Sequence, residues 1–424
     1  MVAGHFSRIG CFFLVVLFVC GPVCGPAGLC APLSEHSLEV AKGGEGVLEV
    51  RASVAAPSWK NAVELPRLRL FLDDEYCQDI LLVPAGDLLT YLTVLGRVDK
   101  GTHSLRLEQH GCSAVELQSV SLKTYSRTDE AFSVLAHSPF VYLRSDSVTN
   151  CTDIPLLMWH EVLRSGGGTR IRYTVLFSNE DGGTPAPALM ARWGRTTDIE
   201  WIYAVDFDAR GGVASERYQG PGHSAPRFRG EKIGHHPLFA MSTTNNMVSP
   251  ATEGDVRVGL CPLATLPPDK PREAMMNLNP WTFRIMAEEL YREGKIESVA
   301  SASTIAVSDP RNYLYCDVDC TKLGRAEAAV EVVLEDGRSF RSDHGISLGL
   351  SSRHGVRRTA VELPPGTNGA DVSRVHAVGV SGSDGNKTQS PAIADRVNVQ
   401  RCFFLDPDYE PTDPVRLPRN PSDD

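Results

Sequence analysis

The strongest pattern in the chain is alternation of apolar and polar residues. Across 170–177, Ile171, Tyr173, Val175 and Phe177 fall on one side of an extended chain, and Arg170, Arg172 and Thr174 on the other. Across 198–208, Ile199, Trp201, Tyr203, Val205 and Phe207 alternate with Asp198, Glu200, Asp206 and Asp208. A period of two marks a strand with one face on a core, so both segments are predicted as half-buried strands. Gly211-Gly212 then offers a hairpin turn into 213–218. Shorter runs at 68–72, 89–95, 101–108 and 114–125, separated by Gly, Pro and Asp, read as a small antiparallel sandwich over 32–126. Asp336-Gly337 is a hairpin signal inside a further β-unit, 321–405, which either stands alone or packs with the central region, 127–320.

Only one segment switches to a helical period. Asn279 is a suitable N-cap, Pro280 fits the first helical position, Phe283, Met286 and Leu290 line one face, and Gly294 ends the run. The expected fold is therefore mainly β: several antiparallel sandwich-like units with a single clear helix near 280–293. From Asp406 onward Pro and Asp dominate, and 406–424 is expected to be a mobile tail.

The N-terminus follows another pattern. Arg8 is followed by an unbroken apolar run, 9–20, and then by Gly21, Pro22, Gly25 and Pro26. The run is short for a spanning helix and suits the apolar core of a signal peptide, with cleavage placed after Ala31. The rest of the chain has no stretch apolar enough to span, so the mature chain is expected without a transmembrane segment, in a secreted or lumenal compartment. Four of the eleven cysteines lie in the signal segment; seven remain, an odd number. An oxidising compartment favours disulfides, and Cys77 with Cys112 is the first pairing to consider because both lie in the N-terminal unit. Asn150 and Asn386 head glycosylation sequons.

Composition narrows the partners. Apolar residues make up 42% of the chain and charged residues 22%, enough for a packed core, and the formal net charge is −10. Without a basic cluster, nucleic acid is not an expected partner.

The residues with chemical potential gather in the central region. Asp198 and Glu200, two apart on a strand, project from one face, and could hold a divalent metal or act as acid and base. The competing expectation is that Arg170 and Arg172, on a neighbouring strand, neutralise them as cross-strand ion pairs. His223 and His236 add imidazoles, and with the two carboxylates would form a metal site; adjacent His235 points away from His236. The loop 178–184, Ser-Asn-Glu-Asp-Gly-Gly-Thr, offers oxygens to a calcium ion or is simply a polar turn. Cys316-Asp317-Val318-Asp319-Cys320 offers metal ligands or disulfide partners, and Asp153 and His160-Glu161 are lesser candidates.

The order Asp198-Ile199-Glu200-Trp201, then Tyr218-Gln219 with His223, then His236-Pro237-Leu238-Phe239-Ala240 resembles the vacuolar protein sorting-associated protein sixty-two family over residues 170–250. That family carries Trp where this chain has Ile199 and His where it has Trp201. The resemblance implies a lumenal or secreted β-rich protein and no particular reaction. Two functions follow from the whole reading. One is a secreted glycan- or protein-binding protein. The other is a secreted metal-dependent hydrolase, which requires Asp198, Glu200, His223 and His236 to meet around one ion.

Overall fold

The computed structural model describes residues 31–415, apart from 56–57, 63, 85–86, 112, 166, 181, 268, 302–304, 324–326, 345–348, 351–354 and 381–395. Residues 1–30, which hold nearly all of the expected signal peptide, and Cys112 and Asn386 therefore lie outside the described residues. The chain is mainly β, with antiparallel sheets and few helices.

Alternating leucines build the first unit. Ala31–Val40, Gly101–His110, Arg67–Leu72 and Glu75–Leu81 form one sheet in that spatial order, and Leu89–Val98, Gly44–Ala55 and Ala114–Tyr125 form another. Leu48, Val50, Leu68, Leu70, Leu105 and Leu107 pack together between them, as inward faces of a sandwich do.

The central sheet runs Val213–Tyr218, Asp198–Phe207, Gly168–Phe177, Pro155–Ser165 and Ala264–Thr265. On its inner face Ile171, Tyr173, Val175, Phe177, Tyr203 and Val205 meet Phe239 and Met241. These last two come from His236–Met241, which pairs in parallel with Phe140–Tyr142 and antiparallel with Val248–Pro250. On its outer face Trp159, Leu176 and Ile199 meet Phe283, Met286 and Leu290. Those three lie on the expected helix, Trp281–Arg292, whose end is capped by Gly294 at φ +65° and by Lys295 N donating to Leu290 O at 2.8 Å. Among the described residues four shorter helices accompany it: Phe132–Ala136, Ser145–Asn150, Ala186–Trp193 and Ala274–Leu278. The last two complete the layer over the outer face with Ala186, Met190, Met275 and Met276. Three of the four span six residues or fewer, too short for periodicity to reveal.

The third unit departs from the sequence reading at both ends. Tyr313–Asp319, assigned on sequence to the central region, is the middle strand between Val356–Glu362 and Asn398–Phe403. At the other end, 406–415 does not trail away as a mobile tail. Thr412 N donates to Phe404 O at 2.9 Å, Val415 N to Cys402 O at 2.8 Å, and Tyr409 Oη to Asp309 at 3.1 Å. The many Pro and Asp residues there make turns that fold the segment back. Tyr315 stacks on Phe403 and meets Phe283 edge-on, with ring centroids 5.3 and 5.8 Å apart, so aromatic packing joins this unit to the central helix.

Candidate functional site

The site begins with a break in alternation. Tyr203 and Val205 stand opposite Tyr173 and Ile171, but Trp201 already stands opposite Thr174, leaving Ile202 as the extra residue of a β-bulge. Beyond the bulge Glu200 stands opposite Val175, and Asp198 opposite Phe177. Directly opposed residues share a face of the sheet. The two carboxylates therefore lie on the inner face with Tyr203 and Val205, while Ile199 turns to the outer face. Continuous alternation would have put them on the other side.

The bulge also removes them from the expected arginines. Arg170 forms a two-point pair with Asp206 at 2.6 and 3.1 Å, and Arg172 one with Glu161 at 2.9 and 2.8 Å. The cross-strand neutralisation of Asp198 and Glu200 does not occur.

Two loops supply other partners. The hairpin after His236–Met241 is closed by Ser242 N donating to Met247 O at 2.8 Å. At its tip Asn246, wholly buried, sits at φ +52°, a left-handed conformation Asn tolerates better than most residues. It donates from Nδ2 to Asp198 Oδ2 at 3.0 Å. The segment after Val213–Tyr218 is pinned by Gly220 N to Ser224 O at 3.0 Å. There Gln219 donates to Glu200 Oε2 at 2.6 Å, and its Nε2 lies 2.9 Å from His223 Nδ1. His223 lies 3.8 Å from Glu200 Oε1, and its side chain is 59% exposed. The Asn245 amide stands 3.4 Å from His223 Nε2. The cluster thus runs from buried Asp198 out to exposed His223.

Its electrostatics are lopsided. Burial raises the Asp198 carboxyl, outweighing the lowering pull of Arg195 and the Asn246 hydrogen bond. Burial, followed by the charge of Asp198, pushes Glu200 up to about 8. Arg195 and Arg272 soften both shifts, yet their hydrogen bonds go elsewhere: Arg195 to Glu273 and the Thr197 carbonyl, Arg272 to the Ile199 carbonyl. In addition Gln219 Oε1 and Asn246 Oδ1 are buried acceptors that receive no hydrogen bond. The two carboxylates each accept from an amide NH2, and the oxygens of those same two amides receive no hydrogen bond. Carboxylate and amide oxygens are the groups that hard cations take as ligands, and buried acceptors left unpaired call for an explanation.

The remaining sequence candidates have other roles. His236 does not join the cluster. Buried to 1% exposure, it contacts the Ser138 carbonyl at 2.8 Å through Nδ1 and Glu45 at 3.0 Å through Nε2, and stacks on Phe140. Both ring nitrogens are engaged, Nδ1 within the central unit and Nε2 across to Glu45 of the first, so His236 does not join Asp198, Glu200 and His223 in a four-residue site. Among the described residues no three His, Cys, Asp or Glu side chains are grouped to hold a metal. In the 178–184 loop Asp181 lies outside the described residues. Ser178 Oγ and Asn179 Oδ1 instead accept from the backbone of Ile154 and Asp153. Gly182 leaves room for Asn245, since a Cβ there would come within 2.2 Å of the Asn245 side-chain oxygen. Asp317 is held by buried Arg358 at 2.7 and 3.2 Å, and Cys316 lies against Cys402, so these two side chains of the Cys-Asp-Val-Asp-Cys run are engaged with other partners. His160 Nδ1 donates to the Pro262 carbonyl at 2.7 Å, and Asp153 pairs with Arg144. Asn150 is exposed at the end of Ser145–Asn150.

Gln219 and Asn246 were not among the residues singled out as ligands. Glutamine and asparagine are ordinary loop residues, and only their burial beside carboxylates distinguishes them.

No family model and no curated protein matches the chain. Solved structures with partial likeness include NLPPya in complex with mannosamine, at TM-score 0.24 and 12% identity over 32% of this chain and 73% of that one. NLPPya in complex with glucosamine matches at TM-score 0.22 and 11% identity, over 30% and 68%. The C-terminal domain of EclA, a sugar-binding protein, matches at TM-score 0.19 and 15% identity, over 22% and 68%.

Proposed function

We propose that this is an exported binding protein whose central unit holds a hard divalent cation, of the calcium type, at Asp198 and Glu200, and uses it to engage the hydroxyls of a glycan. The observation that carries this reading is the surplus of buried oxygen: two carboxylates raised by desolvation, beside Gln219 Oε1 and Asn246 Oδ1, which receive no hydrogen bond. A cation on the two carboxylates would offset their desolvation, and turning the Gln219 and Asn246 amides would bring their oxygens to it. Carboxylate and amide oxygens are the ligands calcium takes, and a bound ion with unfilled coordination can accept sugar hydroxyls. His223 and Asn245, at the exposed end of the cluster, would contact the ligand beyond the ion. The likeness of residues 170–250 to the vacuolar protein sorting-associated protein sixty-two family belongs to the same proposal, as does export through the N-terminal segment. Among the described residues no helix is long and apolar enough to cross a membrane.

Cation binding must displace the protons that burial favours. With Glu200 near 8, calcium affinity measured by titration calorimetry should fall on the order of ten- to a hundredfold from pH 8.5 to pH 6. Asp198→Asn and Glu200→Gln should abolish the heat, and retention on a glycan array should be lost with a chelator. Wild type that takes up no calcium, magnesium or other divalent ion at either pH refutes the reading.

A further inference from the structure

Asn398–Phe403 runs antiparallel to Tyr313–Asp319 with Cys402 directly opposite Cys316. Their sulfurs are 3.1 Å apart, and neither residue has any exposed surface. Opposed residues of an antiparallel pair have Cβ atoms about 4.5–5.5 Å apart, and a disulfide spans about 3.5–4.5 Å between Cβ atoms. A local shift of about an ångström therefore suffices to join them. We propose that Cys316 and Cys402 form a disulfide as the protein folds in an oxidising compartment, a modification site independent of the cation cluster.

The reaction needs an oxidant, which is an oxidised thiol: a dithiol–disulfide oxidoreductase or a small-molecule disulfide. The thiolate of one cysteine attacks the oxidant's disulfide, giving a mixed disulfide and releasing one thiol. The second cysteine then displaces the other oxidant sulfur. One S–S bond forms in the protein and one breaks in the oxidant, which receives two electrons and two protons. The step belongs to folding rather than to the finished molecule. Once the strands have closed, burial holds the Cys316 thiol well above its usual range, and no reagent reaches either sulfur. The link closes a loop that includes Val356–Glu362 and fixes the strand Asn398–Phe403. The segment behind it is held at the same place, by Val415 N donating to the Cys402 carbonyl. Cys320 packs in the same core, but its backbone pairs with Gly355, not with the strand that carries Cys402.

The test is peptide mapping of the full chain recovered from the secretory route, unfolded without reductant in N-ethylmaleimide and digested with trypsin. Cleavage after Arg311, Lys322 and Arg401 places Cys316 and Cys320 on one peptide and Cys402 on another. The expected product is these two peptides linked, with a single maleimide on Cys320; Cys320→Ser should leave the link intact, and Cys316→Ser should free Cys402 to take maleimide. Maleimide on both Cys316 and Cys402, or a Cys320–Cys402 link that survives in Cys316→Ser, would overturn the proposal.

Discussion

Glu200 is a carboxylate under opposing demands. Its raised position means that the folded state holds a proton which the unfolded chain, near 4.5, would release. The stability associated with that proton is fully present below about pH 4.5. It declines as pH rises and is gone above about 8. Replacing Glu200 by Gln keeps an acceptor for Gln219 and removes the buried charge. At pH 8.5 and without cation the variant should be more stable than wild type by about 2–4 kcal/mol, and nearly equal to it at pH 4.5, as urea unfolding at the two pH values would show. His223 and His236 should separate cleanly. His223→Ala removes an exposed ring and should change stability by less than about 0.5 kcal/mol while weakening ligand binding. His236→Ala leaves Glu45 buried without its partner and should cost about 3–5 kcal/mol, with cation affinity unchanged in whatever protein remains folded.

At the level of elements, glycines at helix ends test the packing. Gly194 and Gly294 both follow a helix at positive φ, +57° and +65°. A Cβ on Gly294 meets nothing within 4 Å, whereas one on Gly194 would lie 2.6 Å from Cγ of buried Arg358. Gly294→Ala should therefore cost about 1–2 kcal/mol, the price of the left-handed backbone alone. Gly194→Ala should cost about 1–3 kcal/mol more, because it also displaces the Arg358–Asp317 pair; thermal unfolding of the two variants makes the comparison. Elements also show what was legible in the sequence. The strands at 170–177 and 198–208 and the helix after Pro280 stand where alternation, Pro and Gly put them. The face of Asp198 and Glu200 was not legible, because a single extra residue, Ile202, inverts the alternation and no residue type announces a bulge. The hairpin that brings Asn246 to Asp198 was equally hidden, since it depends on a tertiary meeting of two loops.

Across the whole molecule, apolar clusters run from one unit into the next: Trp59, Leu65 and Leu81 of the first pack with the central core, and Tyr315 and Phe403 of the third with the central helix. His236 with Glu45 joins the first unit to the second, and Phe283 with Tyr315 and Phe403 joins the second to the third. The expectation of one metal site drawing on Asp198, Glu200, His223 and His236 failed at this scale. His236 lies on the central strand that carries the hairpin to the cluster, but its ring is committed to the first unit. What remains is a pair of buried carboxylates, each bonded by an amide, with the exposed ring of His223 beside Glu200. On the proposed function, the carboxylates of Asp198 and Glu200 are there to hold a cation. The most direct test is thermal unfolding of wild type and Glu200→Gln at pH 8.5, each with and without calcium. The account predicts that Glu200→Gln melts higher in the absence of calcium, that calcium raises wild type, and that it leaves the variant unmoved. A wild type that ignores calcium, together with a variant that melts lower under every condition, would mean that Glu200 serves as a structural hydrogen-bond acceptor and would contradict the account.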